Sequence, residues 1–520
     1  MDRSLKLRVY HPILLGLFPV LFLYARNVTE VRFKEIFLPL ALIVLVVAVG
    51  LLVLTPVIRD RYKRGLVVSL FVGLFFSFGH TVRLVVYSRL LSDAETFTPE
   101  RVVSGGFLAA FVIIAYLVLR CRCDLSGISR LLNQVLLSLL VIQIGLAGYA
   151  WSTQGKAVDA AREPIATVFA IETPPDIYYI ILDGYARSDV LNDIYDYDNS
   201  DFLRELTERG FYIADSSLSN YISTAQSLAS TLNLDYLHRV LATERSRFSR
   251  MPTAIMLENN RVMIHLRRYG YKTVAFSTGY TPTELENADY YFSPGLTLSE
   301  FQNHLLNTTP WPLAAGLFKS QYDLYREQLN YTMSRVADLG EVPSPKFVYA
   351  HISCPHPPFV FDEHGKPIQP DWPITIADGS HYFYRTEGTL DDYLTGYRNQ
   401  VTYISRRIVD IVDSIVAGSS HPPVIILQAD HGPGSRLHWQ SLADTDLKER
   451  FSILNAYLMP GVDTTLLYES ISPVNSFRIL LNHYFGTEYQ RLPDQYYFTT
   501  WTHPYNYIDV TENLRWQSQD

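Results

Sequence analysis

Pro423-Val424-Ile425-Ile426-Leu427-Gln428-Ala429-Asp430-His431-Gly432 reads as a buried strand that runs into a glycine-bearing loop. Residues 424–427 are four apolar residues in a row, which suits a strand covered on both faces, as in a parallel sheet. A carboxylate and an imidazole, Asp430 and His431, stand side by side just past its end. In open α/β sheets that edge is where ligands bind, and an adjacent Asp and His can hold a divalent ion there. The commoner use of such a pair is a hydrogen-bonded loop, so the reading turns on what the other strand ends bring.

Two more stretches have the same form. Ile177-Tyr178-Tyr179-Ile180-Ile181-Leu182 leads into Asp183-Gly184, and Lys346-Phe347-Val348-Tyr349-Ala350-His351-Ile352 leads into Ser353-Cys354-Pro355-His356-Pro357-Pro358-Phe359. Leu228, Ala229 and Leu232 give a helical face from about Thr224 onward. This places the Ser223 and Thr224 hydroxyls at a helix amino terminus, where free N–H groups and the dipole favour negative charge, although an N-cap is the commoner role of such a residue. Apolar residues at three-and-four spacing over 390–415 predict a long amphipathic helix, capped by Thr389 and stopped by Gly418. Helices are also predicted over 203–209, 261–269, 322–336 and 475–484, and strands over 211–214, 272–276 and 451–458. The alternation predicts an α/β domain with a mainly parallel central sheet. If its strands are parallel, Asp183, Asp430, His431 and a Thr hydroxyl fall on one edge. Three oxygens and one nitrogen suit Zn or Mn. A metal there would lower the Thr pKa and make it a nucleophile, with His356 to hold a nonbridging oxygen or protonate a leaving group.

The chain has 520 residues, a net charge of −8 and three cysteines. The acidic balance argues against nucleic acid as a partner. Cys121 and Cys123 make no disulfide framework and are expected to be two ordinary thiols, and Cys354 a small core residue. Long apolar runs near 13–25, 36–58, 66–87, 107–119 and 131–151 predict five transmembrane helices. The first and fourth fall short of the ~20 residues a bilayer asks for. The clusters Arg3/Lys6/Arg8, Arg59/Arg61/Lys63/Arg64 and Arg120/Arg122/Arg130 all lie on one side if the amino terminus is cytoplasmic. Five crossings then put everything after Trp151 outside. In the third span, Arg83 is expected to snorkel to the headgroups and His80 to pack against another helix. Contact with the phosphate of an outer-leaflet lipid is the alternative. The expected organisation is a transmembrane domain over 1–151, a juxtamembrane linker over 152–175, a catalytic domain over 176–500 and a C-terminal tail over 501–520.

Leu182-Asp183-Gly184, Ser219-Asn220-Tyr221…Thr224…Ser227-Leu228-Ala229, His356-Pro357-Pro358-Phe359 and Asp430-His431-Gly432 together resemble the alkaline-phosphatase superfamily, and within it the membrane-anchored sulfatase-like branch. That branch includes lipoteichoic acid synthases and phosphoglycerol and phosphoethanolamine transferases. The resemblance implies an alkaline-phosphatase-like domain with one divalent metal on Asp183, Thr224, Asp430 and His431. It implies Thr224 as nucleophile and His356 as a substrate contact. His351 and Arg436 are further substrate-binding candidates, and His351 and His438 are the residues available for a second metal. Ser223, next to Thr224, is the competing nucleophile. The lipid-headgroup transferases use Glu where this chain has Asp183. Neither Thr224-Ala225-Gln226 nor Cys354-Pro355-His356 offers the Cys/Ser-x-Pro-x-Arg context that true sulfatases convert to formylglycine, which counts against sulfate-ester chemistry.

The expected activity is an integral plasma-membrane phosphotransferase. A membrane phospholipid would be the donor and an extracytoplasmic glycan or lipid the acceptor. A phosphodiesterase or phosphatase with the same site is the first alternative, and a non-catalytic membrane scaffold the second.

Overall fold

The computed structural model describes residues 8–88, 98–153, 174–241, 249–314 and 319–517. The expected linker lies almost wholly outside these. The chain divides into two compact units: residues 1–153 with 298–321, and residues 154–297 with 322–520.

The first unit is helical: α1 (His11–Asn27), α2 (Phe37–Val53), α3 (Arg61–Tyr87), α4 (Pro99–Arg120) and α5 (Ser126–Thr153). Asp60 caps α3 by accepting from the Tyr62 and Lys63 N–H groups, and Thr98 caps α4 ahead of Pro99. Four spans are long and apolar enough to cross a membrane: Phe33–Val53, Arg61–Val86, Pro99–Arg120 and Ser126–Ser152. The first of these takes in a short 3-10 turn before α2. Their outward faces carry Leu42, Val46, Leu52, Leu108, Ile113, Leu137 and Ile144, all exposed, an apolar surface that water would penalise and lipid would not. α1 has 17 residues, about 26 Å of helix, and packs against α2, α3 and α5. Val20 and Tyr24 pack with Leu40 and Ile43 of α2, Phe76 of α3 and Ala147 and Ala150 of α5. Its start is pinned by polar contacts, with His11 Nδ1 2.6 Å from Ser69 Oγ and the His11 N–H donating to Asn133 Oδ1 at 2.7 Å. Phe301 and Leu305, from the helix Glu300–Leu306, join the same core.

His80 and Arg83 are both exposed on α3. One expectation about this unit is corrected. Cys121 and Cys123 are joined in a disulfide, with their Cα atoms 5.5 Å apart. The chain turns there between α4 and α5, which brings two residues of such close spacing within bonding reach.

The second unit is built on a seven-stranded sheet. Its strands are β1 (Ile177–Leu182), β2 (Tyr212–Ile213), β3 (Lys272–Phe276), β4 (Tyr290–Phe292), β5 (Lys346–Ile352), β6 (Val424–Gln428) and β7 (Asn455–Leu458), in the order β2-β7-β6-β1-β5-β3-β4. The pairs β6/β1, β1/β5, β5/β3 and β3/β4 are parallel, whereas β7 runs antiparallel to β6 and β2 antiparallel to β7. β1 is apolar throughout because it is covered on both faces. Tyr178, Ile180 and Leu182 point into one core with Tyr397, Val401, Ile404 and Ile408 of the helix Leu390–Gly418. Ile177, Tyr179 and Ile181 point into the other with Leu228 and Leu232 of the helix Thr224–Asn233 and Phe477 and Leu481 of the helix Pro473–Phe485. Each such fully buried side chain contributes about 1.5–3 kcal/mol.

The strand expected over 451–458 starts later, at Asn455, because Leu447–Phe451 is a helical turn. Asp446 caps that turn by accepting from the Glu449 N–H, and a helical turn puts both Glu449 and Arg450 inside the protein. The expected tail carries β9 (His503–Asp509), which pairs with β8 (Tyr497–Thr500), and the helix Thr511–Gln517.

Candidate metal and transfer site

Register brings the site together. Ile181 of β1 lies opposite His351 of β5 and Gln428 of β6. Asp183, one residue past β1, and Asp430, two past β6, therefore leave neighbouring strands at the same edge. Asp183, His351 and Asp430 are all buried, with one ligand-competent atom from each within 4.8 Å of the others. His351 Nε2 is 3.1 Å from Asp183 Oδ2, and its Nδ1 is 3.3 Å from Thr283 Oγ1.

His431 faces the same carboxylates. Its Nδ1 donates to the Gly432 carbonyl at 2.9 Å, which leaves a lone pair on Nε2. That nitrogen is 3.0 Å from Thr224 Oγ1, 3.3 Å from Asp430 Oδ2 and 3.6 Å from Asp183 Oδ1. Burial and the charge of Arg450 lower the pKa of His431 against the pull of the two carboxylates, which favours the neutral ring a metal needs. Asp183 Oδ1 and Asp430 Oδ2 are buried without a hydrogen bond. Two carboxylate oxygens and an imidazole lone pair that converge with nothing positive between them are costly unless a cation joins them. The donor set fits a divalent metal.

Thr224 is the first residue of its helix, and its side-chain hydroxyl hydrogen-bonds His431. Ser223 Oγ turns away to Gln226 Oε1 at 2.9 Å. Of the two hydroxyls, only that of Thr224 points at the cluster.

His356 hangs from the turn after β5. Its backbone N–H donates to the Asp183 carbonyl at 3.0 Å, and Gln400 of the long helix donates to the His356 carbonyl. Nδ1 is 2.6 Å from the Pro357 carbonyl, and Nε2 is 3.8 Å from Asp378 Oδ2. Burial lowers its proton affinity, but the charges of Asp183 and Asp378 and the Pro357 carbonyl outweigh burial and hold the ring above the ordinary imidazole value.

The other two named residues lie elsewhere. Arg436 is exposed and pairs with Asp446 at 3.3 Å, and His438 is exposed. In their place the structure brings in Asp378 and Arg450. Asp378 accepts from Arg450 Nη1 and from the Tyr393 hydroxyl, each at 2.7 Å. A Cβ at Gly434 would lie 2.5 Å from Asp378 Oδ2, and one at Gly432 2.0 Å from the Glu449 carbonyl, so both glycines are needed for close approach.

Glu449 ties down the loop that follows His431. It is fully buried and accepts from the Tyr195 hydroxyl at 2.5 Å, the Ser435 N–H and hydroxyl, and the Arg436 N–H at 2.8 Å. Burial outweighs these donors and pushes its pKa up from 4.5 to about 7. A raised folded pKa means that the folded protein binds the proton more tightly. The resulting stability is present below about 4.5 and is lost as pH rises through about 7. The melting temperature is expected to fall between pH 5 and pH 8, with a flatter slope in Glu449→Gln; differential scanning fluorimetry across that range checks this.

A hydroxyl-bearing helix terminus, a metal-competent carboxylate–imidazole cluster and a buried histidine share one edge of the mostly parallel sheet, an arrangement of the alkaline-phosphatase superfamily type. The sequence narrows this: a family model described as Sulfatase matches residues 175–452, and the chain belongs to that family. No curated protein matches the chain. Among solved structures, the C-terminal periplasmic domain of phosphoethanolamine transferase EptC from Campylobacter jejuni is 15% identical, with 60% of this chain and 90% of that chain covered and a TM-score of 0.37. Integral membrane lipooligosaccharide phosphoethanolamine transferase A from Neisseria meningitidis is 13% identical over 91% of this chain and 94% of that chain, TM-score 0.40. A putative sulfatase from Bacteroides thetaiotaomicron is 14% identical over 63% and 74%, TM-score 0.41.

Proposed function

We propose that the protein is a membrane-bound phosphotransferase that moves a phospholipid headgroup phosphoryl unit through Thr224 to a glycan or lipid acceptor in the cell envelope. The observation that carries the reading is the Thr224 hydroxyl, 3.0 Å from His431 Nε2 and beside two buried carboxylate oxygens with no partner. A divalent ion, Zn or Mn by ligand type, would be held by Asp183, Asp430, His431 and Thr224, with His351 in reach, and supplies the positive charge that makes the Thr hydroxyl acidic. Thr224 Oγ then forms a bond to phosphorus, its proton is lost to solvent, and the bond to the lipid oxygen breaks. His356, whose proton affinity is raised by Asp183 and Asp378, gives the leaving oxygen a proton from Nε2. In the second half the acceptor hydroxyl attacks the phosphothreonine, His356 takes up its proton, the phosphorus–oxygen bond to Thr224 breaks, and the Thr224 oxygen regains a proton from solvent. Thr224-Ala225-Gln226 lacks the formylglycine context, which supports phosphoryl over sulfuryl transfer.

The four long spans and α1 make five crossings in this reading. With the amino terminus cytoplasmic, they deliver the α/β unit outside, where the membrane holds the site close to its lipid substrate. Intact-mass analysis after incubation with membrane phospholipids tests the mechanism. The expected result is a covalent headgroup-phosphoryl increment on Thr224. Free headgroup phosphate with no modified acceptor would show hydrolysis instead, and a protein that takes up neither Zn nor Mn would sink both readings.

A further inference from the structure

Arg450 is 1% exposed, and three contacts fix its guanidinium. Nε donates to the Ile222 carbonyl at 2.8 Å. Nη1 donates to Asp378 Oδ2 at 2.7 Å and to the Gly432 carbonyl at 2.8 Å. The Trp439 ring covers it at 5.3 Å, and the Trp439 Nε1–H donates to the Asp378 carbonyl at 2.8 Å. Among the described residues Nη2 donates to nothing, yet it is not one of the sealed, unpartnered buried atoms. The little surface this side chain keeps is consistent with an open Nη2.

The contacts also place it. Ile222 is two residues before Thr224, Gly432 directly follows His431, and Asp378 Oδ2 faces His356 Nε2. The guanidinium therefore bridges the three segments that carry the nucleophile, the metal-ligand pair and the proton donor. A buried ion pair is a poor stabilising device in itself. A guanidinium serving only as a lock would have its N–H groups spent on protein, and this one keeps a nitrogen in reserve.

We propose that Arg450 is the anion-binding residue of this site: its open Nη2 takes a nonbridging oxygen of a tetrahedral phosphoryl or sulfuryl group, and Asp378 holds the guanidinium in position. This rests on the reading that the site handles such a group. It gives to Arg450 the role that the sequence suggested for Arg436. A carboxylate-rich cluster would otherwise repel an anionic substrate. A fixed guanidinium supplies charge and direction at once, because its fork matches tetrahedral oxyanions.

The test measures inorganic phosphate binding by isothermal titration of the full-length protein in detergent, with and without zinc. Arg450→Met is expected to weaken binding at least ~10-fold, since a charge-assisted hydrogen bond is lost. That variant strands the Asp378 carboxylate, so Asp378→Asn/Arg450→Met, which leaves neither charge of the pair, is the deciding protein. Its melting temperature is expected near the wild-type value with phosphate binding still weakened at least ~10-fold. Arg450→Lys, which keeps the charge without the fork, is expected to fall between. Wild-type affinity in the double variant overturns the proposal, as does a wild-type protein that binds no phosphate. Arg450-dependent phosphate binding without any Thr224 adduct would uphold this site while removing the transfer mechanism above.

Discussion

Thr224→Ala lowers turnover of a phospholipid donor by at least about 10³-fold, the scale seen when a covalent nucleophile is removed, and leaves the fold intact. Thr224 makes one side-chain hydrogen bond, to His431, so the stability cost is about 1 kcal/mol. Thr224→Ser keeps the hydroxyl and is expected within about tenfold of wild type. Ser223→Ala tests the competing assignment. Ser223 Oγ is engaged by Gln226 and makes no capping bond to the helix it precedes, so its loss is expected to change turnover only a few-fold. The reverse pattern, an active Thr224→Ala and a dead Ser223→Ala, would move the nucleophile by one residue and with it the whole geometry of attack. Steady-state rates and intact mass on the same four proteins separate loss of chemistry from loss of folding. Alanine protein that still accepts the headgroup increment would remove Thr224 from the mechanism.

The site was legible where strands speak for themselves. Residues 177–182, 346–352 and 424–428 are apolar runs bounded by polar residues. A parallel arrangement puts their ends on one edge, so Asp183, His351, Asp430 and His431 could be grouped from period and chemistry alone. The Thr224 helix start was readable for the same reason. Arg450 and Asp378 were not. They lie 72 residues apart, in a loop and a short helical turn with no periodic signal, and only tertiary packing joins them. The apolar residues of 451–458 imitate a longer strand, but the turn capped by Asp446 claims the first of them. Arg436 follows a glycine turn and reads like a phosphate ligand, yet the N–H groups of Ser435 and Arg436 are bound to Glu449 and its side chain is left at the surface. In the membrane unit, hydropathy marks α2 to α5 plainly. α1 is short and carries a buried His11 that meets Ser69 and Asn133, which is why hydropathy marks it less plainly than the other four.

The second large effect concerns the metal. Asp430→Asn is expected to abolish metal-induced stabilisation and to lower metal affinity at least ~100-fold, beyond the 10–100-fold that losing a supporting residue costs. The substitution is nearly isosteric. Oδ1 can still accept from the Gly184 N–H, a 3.2 Å contact, while the oxygen that has no partner becomes an amide nitrogen. In metal-free protein the change should be harmless or stabilising, because Asp183 and Asp430 repel each other across the His431 lone pair and one of those charges disappears. Metal then separates the two proteins. At a free zinc concentration 100 times the dissociation constant, wild type gains about 2.7 kcal/mol and melts several degrees higher, whereas Asp430→Asn does not move. Melting curves with zinc, manganese and chelator, alongside metal content of the purified proteins, read this directly. A variant that binds zinc as wild type does, and is stabilised as much, would mean that the two unpartnered carboxylate oxygens are not the cation's seat. His351, which stands within reach of Asp183 and Asp430 on the opposite strand, discriminates further: His351→Ala should weaken the metal if that imidazole is a ligand, and spare it if His431 and Thr224 complete the shell.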